Sequence, residues 1–223
     1  MTNKPRIALV SATPVAIPPA VAAINRALPH ATIWNLLDDR LLADAEERGG
    51  IDPALEQRMR ALIGLAVAGG ADAVLLTCSL YGVVAEELAN DVGVPLLAPD
   101  TAMFDEVAAS THRSVLVVAS LDSAATDTGQ RLARRVDSVG KRIRLDSVHA
   151  SAAANAAKHG DVVGVADAIM DVIGDADGWD GVVLAQYSIA GADAILTERL
   201  GKPVYSAPAA AARKLSMRIG GPA

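Results

Sequence analysis

The chain has 223 residues, a formal net charge of −6 and a pI near 5.2. This acidity argues against a nucleic-acid or anionic-membrane surface, because both need basic patches. No stretch approaches the roughly 20 apolar residues of a membrane span, and the amino terminus lacks the pattern of a secretion signal. Hydrophobic residues make up 52% of the sequence but aromatic residues only 3%, so aliphatic side chains have to build the core. We predict a cytoplasmic protein without nucleic-acid or membrane partners.

The cysteine and histidine content limits the metal chemistry. One cysteine rules out an intramolecular disulfide and a cysteine-rich zinc site. The four histidines are scattered without ligand spacing such as HxxxH; they are His30, His112, His149 and His159. We therefore predict no metal site. His149 and His159 lie in a polar stretch and are interpreted as surface residues.

Short apolar runs alternate with helical stretches along the chain, a pattern typical of parallel sheets covered by helices. In the first half we predict strands at 6–10, 32–37, 73–77 and 95–98, and helices at 18–28, 55–68, 80–90 and 101–110. In the second half we predict strands at 114–119, 141–148, 181–185 and 203–206, and helices at 123–136, 165–173, 191–200 and 209–217. The polar segment 40–53 is predicted to be a mobile flap, with a plain solvated loop as the equal alternative.

The two halves superimpose at a constant offset, without gaps. Three pairs of landmark residues are 108 positions apart: Asp72 and Asp180, Pro95 and Pro203, and Ile7 and Val115. This repeat predicts an α/β fold of two pseudo-symmetric halves, each a four-stranded, mostly parallel sheet flanked by helices. The predicted domains are residues 1–98 with 207–223, and residues 99–206. Because ligands of open α/β sheets bind beyond the carboxyl ends of the strands, we expect the active-site cleft between the halves.

Four segments carry a resemblance to a known family: IALVSATP from residue 7, LLDD from residue 36, LTCS from residue 76 and LAQYS from residue 184. Together with the duplicated layout, they resemble the aspartate/glutamate racemase superfamily, which works without pyridoxal phosphate. That superfamily also includes hydantoin and allantoin racemases, maleate isomerase and arylmalonate decarboxylase. The resemblance covers nearly the whole chain. It implies a racemase or isomerase that needs no cofactor and acts at the carbon alpha to the carboxylate of a small acid or amino acid.

The family's usual chemistry uses two cysteines, one in each half, on opposite faces of the substrate. One thiolate removes the α-proton, and the other thiol returns a proton. Cys78 matches the first cysteine, whereas the offset of 108 sets Gln186 at the second position, and glutamine cannot take or give a proton at neutral pH. The resemblance thus implies Cys78 as the single acid/base or nucleophile. A cofactor-free decarboxylase with one-sided protonation by Cys78, and a non-catalytic carboxylate-binding protein, remain as alternatives.

Cys78 lies where a buried strand opens into a helix. The backbone N–H groups and the helix dipole at that position predict a lowered pKa for its thiol. The alternative is an inert buried cysteine, because cysteine is among the most buried residue types.

Other polar side chains near the strand ends are predicted to bind the substrate or to cap helices; they are Ser11, Thr13, Asp38, Thr77, Ser79, Ser120, Gln186, Tyr187 and Ser188. Asp38 would orient an ammonium group or simply solvate a strand end. Gln186 would donate a hydrogen bond to a developing oxyanion. Tyr187 is the nearby candidate for a second proton donor, although packing is the commoner role of such a tyrosine. The expected partner is a small carboxylate-containing substrate, and the oligomeric state, a homo-oligomer included, stays open.

Overall fold

The computed structural model describes residues 4–219 and divides the chain into two α/β units. The first unit runs to Ala102 and resumes at Ala211, and the second unit is Met103–Ala210. Among the described residues, no helix is both long enough and apolar enough to cross a lipid bilayer.

The first sheet has four parallel strands in the order β2-β1-β3-β4. They are β1 (Arg6–Ser11), β2 (Thr32–Leu37), β3 (Ala73–Leu76) and β4 (Leu96–Leu97). The α-helices from the start of the chain to just beyond β4 are α1 (Ile17–Ala27), α2 (Leu41–Arg48), α3 (Pro53–Ala68), α4 (Gly82–Leu88) and α5 (Thr101–Ala109). Short 3₁₀ turns at Pro14–Ala16 and Ser79–Tyr81 precede α1 and α4.

The second sheet repeats this topology in the order β6-β5-β7-β8, again with parallel pairing throughout. Its strands are β5 (Ser114–Ala119), β6 (Arg144–His149), β7 (Gly181–Leu184) and β8 (Val204–Ser206). The remaining α-helices are α6 (Asp122–Ser138), α7 (Ala152–Lys158), α8 (Val162–Ile173), α9 (Asp193–Leu200) and α10 (Ala207–Ile219), and a 3₁₀ turn at Tyr187–Ala192 precedes α9. The prediction of two four-stranded parallel sheets flanked by helices is confirmed.

The burial of the strands explains the sequence patterns that predicted them. Every residue of β3 and β7 is buried, so each strand reads as a continuous apolar run, as expected for a sheet covered on both faces. The edge strands β2 and β6 contain only exposed and half-buried residues, and their sequences accordingly mix polar and apolar residues.

The strand registers show the repeat and one departure from it. β1 pairs with β3 through Ile7 and Ala73, and β5 pairs with β7 through Val115 and Gly181, so both strands keep the offset of 108. The edge strands differ: Thr32 opens β2 and Arg144 opens β6, an offset of 112. The second unit therefore has four more residues before its edge strand and four fewer after it. The expectation of a repeat without gaps is wrong at this strand.

The recurring aspartates have a structural role at the start of each central strand. Asp72 Oδ2 accepts a hydrogen bond from the backbone N–H of Arg6 at 2.7 Å. Asp180 Oδ2 accepts from the N–H groups of Arg113 at 2.7 Å and Ser114 at 3.0 Å. These backbone donors lower the pKa of Asp180, because they stabilise the ionised carboxylate.

The segment 40–53 is not the loop that the sequence predicted. It contains α2, whose Leu41 and Ala45 lie four residues apart on one face and are buried. Gly49 ends the helix in the left-handed conformation, with φ of 74°. Asp52 then accepts a hydrogen bond from the backbone N–H of Leu55 at 2.9 Å and caps α3. The flap prediction is wrong in its loop conformation because two apolar residues at helical spacing outweigh the polar composition of the segment.

Candidate functional site

A buried pair of hydroxyl groups lies at the carboxyl edge of the first sheet. Ser11 ends β1, and Thr77 directly follows the neighbouring strand β3. Thr77 Oγ1 donates a hydrogen bond to Ser11 Oγ at 2.9 Å, and the two residues are 2% and 0% exposed. The backbone N–H of Thr77 continues the ladder by donating to the carbonyl of Val10 at 3.1 Å. The structure therefore brings together two of the predicted site residues, which contact each other next to Cys78.

Cys78 directly precedes a 3₁₀ turn and has extended backbone angles, with φ of −120° and ψ of 116°. Burial raises the pKa of its thiol to about 11, since a thiolate loses its hydration in an apolar environment. The backbone N–H groups of Leu80 and Tyr81 oppose this shift by hydrogen bonding, and the negative charges of Asp100 and Glu46 add to it. The prediction of a lowered pKa is wrong because desolvation outweighs the N–H groups.

The raised pKa changes what Cys78 can do chemically. At neutral pH the thiol keeps its proton, so it is a better proton donor than proton acceptor. The same N–H groups of Leu80 and Tyr81 that oppose the rise in pKa would stabilise negative charge left after the proton has gone. Cys78 is 9% exposed.

Asp38 lies just beyond β2 in an ion-pair network. Both of its carboxylate oxygens accept hydrogen bonds from Arg58, with Nη2 at 2.7 and 2.6 Å and Nε at 3.0 Å. Arg58 Nη1 also donates to Asp44 at 2.6 Å, and these two aspartates raise the pKa of Arg58. This pairing ties the end of β2 to α2 and α3, and it favours a structural role for Asp38 over binding of a substrate ammonium.

At the carboxyl edge of the second sheet, one residue is hydrogen-bonded to two other polar side chains. Ser120 follows β5, and both its backbone N–H and its Oγ donate to Gln186 Oε1, at 2.7 and 2.9 Å. Its carbonyl oxygen accepts a hydrogen bond from His149 Nε2 at 2.9 Å. Because a backbone N–H can only donate, the carbonyl end of Gln186 must face Ser120. The amide NH₂ of Gln186 is thereby left to donate elsewhere.

His149 is the residue that the sequence interpretation missed. The predicted strand ended at Val148, and His149 was assigned to a polar surface stretch; it is exposed, but it is also the last residue of β6. It pairs across the sheet with Ala119, the residue before Ser120. Its position directly after an apolar strand residue was a usable signal, because side chains that end parallel strands gather at one edge of the sheet.

The remaining predicted residues border the 3₁₀ turns. Thr13 precedes the turn Pro14–Ala16 without making a capping hydrogen bond through its side chain. Ser79 and Tyr187 begin the equivalent turns of the two units. Ser79 and Ser188 are half-buried, whereas Tyr187 is 4% exposed. The burial of Tyr187 favours packing over proton transfer.

Two further features bear on what these edges can bind. Among residues 4–219, no three His, Cys, Asp or Glu side chains are grouped so that they could hold a metal ion. An open recess of about 550 Å³ lies in the first unit, lined by Arg6, Thr32, Ile33, Trp34, Asn35 and Gly69. Since Arg6 and Thr32 begin their strands, this recess lies at the amino edge of the sheet, opposite the edge that carries Cys78.

Comparisons with known proteins give the family. Solved structures similar to this chain include glutamate racemase from Thermus thermophilus in complex with β-chloro-D-alanine (15% identity, TM-score 0.71, covering 97% of this chain and 81% of that one). Aspartate racemase from Picrophilus torridus is 13% identical, with a TM-score of 0.68, over 95% of this chain and 94% of that one. A liganded double mutant of arylmalonate decarboxylase is 20% identical, with a TM-score of 0.62, over 99% of this chain and 94% of that one. At these identities the likeness establishes the fold alone.

The family of the chain is identified from its sequence. No curated protein matches it. The family model described as Asp/Glu/Hydantoin racemase matches residues 20–215, most of the chain. The chain belongs to the Asp/Glu/hydantoin racemase family and is a racemase- or isomerase-like enzyme.

Proposed function

We propose that this enzyme works without a cofactor on the carbon alpha to the carboxylate of a small acid or amino acid, with Cys78 as its proton donor. The observation that carries the proposal is the chemical state of Cys78 at the end of β3. Burial keeps its thiol protonated at neutral pH, and the backbone N–H groups of Leu80 and Tyr81 partly offset the rise in its pKa. A protonated thiol of this kind is suited to protonate a carbanion.

The proposed step begins when a base dissolved in the solvent takes the α-proton from the substrate. The electron pair of the C–H bond passes to the carboxylate and gives an enediolate. Cys78 then protonates that carbon: the S–H bond breaks, a C–H bond forms, and the thiolate is stabilised by the N–H groups of Leu80 and Tyr81 until it regains a proton. The amide NH₂ of Gln186, whose carbonyl end is occupied by Ser120, is proposed to donate a hydrogen bond to an enediolate oxygen.

The carboxyl edge of each sheet carries groups of a kind that bind carboxylates. Neutral donors dominate there: the hydroxyl of Ser11, the amide NH₂ of Gln186 and the backbone N–H groups of the 3₁₀ turns. The nearby Asp38 is already paired with Arg58. Neutral donors can bind a carboxylate without the strong ion pair that an arginine would form, so its charge can shift towards the enediolate during the reaction.

A second candidate function is cofactor-free decarboxylation. In that reaction the bond from the α-carbon to a carboxylate breaks, carbon dioxide leaves, and the same enediolate remains to be protonated. One acid is sufficient for this step, and Cys78 is the only cysteine of the chain. The observation that favours this candidate is that the thiol at position 78 is protonated and that the equivalent position 186 holds a glutamine.

The two candidates can be separated in deuterium oxide. The enzyme is incubated with D- and L-aspartate, D- and L-glutamate, a 5-substituted hydantoin and phenylmalonate. α-Proton exchange is followed by NMR, inversion by chiral chromatography, and release of carbon dioxide by gas analysis. Inversion or exchange supports the isomerase, and release of carbon dioxide from phenylmalonate supports the decarboxylase.

Cys78→Ser tests the assigned proton donor. It should lower inversion, or carbon dioxide release, by at least about a hundredfold, because a serine hydroxyl is a weak acid without an activating partner. His159→Gln is the control, since His159 is exposed and, among the described residues, its ring is hydrogen-bonded only to the carbonyl of Asn155 in the preceding helix α7. Circular dichroism should show both variants folded. Full activity in Cys78→Ser would mean that Cys78 is structural.

A further inference from the structure

We propose that the recess at the amino edge of the first sheet binds a small aromatic carboxylate, with Arg6 holding the carboxylate and Trp34 packing against the ring. This binding site is separate from the proposed active site, because the recess lies at the edge of the sheet opposite the one that carries Cys78. Three observations lead to it: an arginine without a carboxylate partner, a tryptophan packed against a glycine, and the paired arrangement at the same edge of the second sheet.

The guanidinium of Arg6 is held in place through one of its nitrogens. Arg6 begins β1, and its Nη1 donates a hydrogen bond to the carbonyl oxygen of Gly69 at 2.6 Å. Asp72 accepts from the backbone N–H of Arg6 and not from its side chain. Among residues 4–219, no carboxylate forms an ion pair with this guanidinium. Because a guanidinium has five N–H donors in a fork that matches a carboxylate, Arg6 keeps donors for an anion in the recess.

The indole ring of Trp34 gives the recess a flat apolar wall. Trp34 is half-buried, packs against the core of the first unit and lines the recess. A Cβ at Gly69 would lie 2.3 Å from Cη2 and 2.5 Å from Cζ3 of Trp34. Gly69 has φ of −78°, which any residue can adopt, so glycine is needed here for room and not for its conformation. This close packing fixes the ring, and a fixed indole offers a surface for a second flat ring.

The free edge of β2 adds backbone donors to the recess. β2 is an edge strand with β1 as its neighbour in the sheet. The backbone N–H of Thr32 faces β1 and donates to the carbonyl of Pro5 at 2.8 Å. Since successive residues of a strand direct their N–H groups to opposite sides, those of Ile33 and Asn35 face away from the sheet. Both residues line the recess, whose volume of about 550 Å³ is ordinary for a small-molecule site.

The amino edge of the second sheet has a similar arrangement with the acid included. Arg144 Nη2 donates to the carbonyl of Gly178 at 2.6 Å, and the guanidinium carbon lies 5.9 Å from the ring centre of Trp179. Asp146 Oδ2 forms an ion pair with Arg144 Nε at 3.0 Å and accepts a hydrogen bond from Trp179 Nε1 at 2.7 Å. The charge of this arginine is therefore already paired within the protein.

The strand registers relate the two edges. Trp34 pairs with Ala8, and Asp146 pairs with Leu116, which lies 108 positions after Ala8. Trp34 therefore occupies the position that the carboxylate has in the second unit. The first unit thus has an arginine and a tryptophan at this edge but not the acid that pairs with them, and a carboxylate ligand would supply it.

The test is a titration with phenylacetate, followed through the indole N–H signals in NMR spectra of the isotope-labelled protein. The chain has two tryptophans, so Trp34 reports on the recess and Trp179 on the second sheet, and Trp34→Phe assigns the two signals. The Trp34 signal should move to a plateau over a millimolar range, and the Trp179 signal should stay. Phenylacetamide, which lacks the charge, and acetate, which lacks the ring, should each bind at least about tenfold more weakly.

Arg6→Gln should weaken the binding of phenylacetate by about tenfold or more, because it removes the charge and the fork of donors. Arg144→Gln is the matched control: it also removes an exposed arginine near a tryptophan, and it should bind as wild type. Circular dichroism should show both variants folded.

Three results would overturn the proposal. A wild-type Trp34 signal that does not move means that the recess binds no aromatic carboxylate. Binding that is as tight in Arg6→Gln as in wild type means that the ligand lies elsewhere, for example at the edge that carries Cys78. Equal weakening by Arg6→Gln and Arg144→Gln means a general effect of net charge and not a site at Arg6.

Discussion

The carboxyl ends of β3 and β7 have similar backbones but different polar partners. Cys78 and Gln186 are both extended, with φ and ψ of −120° and 116° against −140° and 142°, and both precede a 3₁₀ turn. In the first unit the hydrogen-bonded side chains belong to Ser11 and Thr77. In the second unit the equivalent bond has moved one residue along each strand, to Ser120 and Gln186.

A shift of one residue has a large effect because successive side chains of a strand point to opposite faces. In the first unit the polar pair is buried, and the following position carries a thiol with a raised pKa. In the second unit the position before Ser120 is Ala119, and the hydrogen bonds lie at the level of Gln186. The two copies of the backbone thus carry different groups. The first unit has the thiol of Cys78, and the second unit has the amide of Gln186 and the imidazole of His149.

The largest expected effect concerns the reactivity of the Cys78 thiol, which the second unit lacks. Iodoacetamide should label Cys78 at neutral pH about a hundredfold more slowly in the folded protein than in urea. The reason is that burial raises the pKa of the thiol from 9.0 to about 11, which lowers the thiolate fraction by about that factor. Mass spectrometry gives both rates, and Cys78 is the only thiol that can react.

The pH dependence of labelling has a defined direction. The rate in the folded protein should keep rising to about pH 11, whereas in urea it should level off near pH 9. Since the folded state binds the proton more tightly, the stabilisation from the neutral thiol is complete below pH 9 and is lost as the pH rises through about 11. Equal labelling rates in the folded and unfolded protein would show that the thiol is not desolvated.

A smaller effect is expected when position 186 is given the same residue as the equivalent position 78. Gln186→Cys should raise inversion about tenfold over the wild type, because a thiol can exchange protons where glutamine cannot. Chiral chromatography with D- and L-aspartate and D- and L-glutamate measures the increase. Gln186→Ser is the control, since it also removes the amide but adds no group that titrates near neutral pH. Equal activity of the two variants would contradict the equivalence of positions 78 and 186.

The sequence contained the fold but only part of the site. Continuous apolar runs identify β3 and β7 because both faces of these strands are buried, and the landmark Asp180 recurs because it accepts hydrogen bonds from the start of β5. The pKa of Cys78 was out of reach, since it is the balance between burial and backbone N–H groups and both depend on packing. His149 was missed because its contact is with a residue 29 positions away.

The smallest predicted effect concerns α2, whose anchoring differs from that of α7 in the second unit. The hydroxyl of Tyr81 donates to the carbonyl of Leu41, the first residue of α2, at 2.9 Å, and Tyr81 is fully buried. The offset of 108 places Ile189 at the corresponding position, which can pack against α7 but cannot donate. Tyr81→Phe should therefore lower the free energy of unfolding by about 1 kcal/mol, the usual net value of one hydrogen bond, as measured by urea denaturation.

Amide hydrogen exchange locates this effect within the chain. In Tyr81→Phe, the backbone amides near the end of α2, from Ala45 to Arg48, should exchange about fivefold faster, because the helix opens more readily without its anchor. Amides in α7 serve as the internal control and should be unchanged. If both helices lose protection equally, the hydroxyl of Tyr81 stabilises the whole protein and not α2 in particular. If neither changes, the contact with Leu41 contributes nothing, and α2 is held by the burial of Leu41 and Ala45 and by the ion pairs of Arg58.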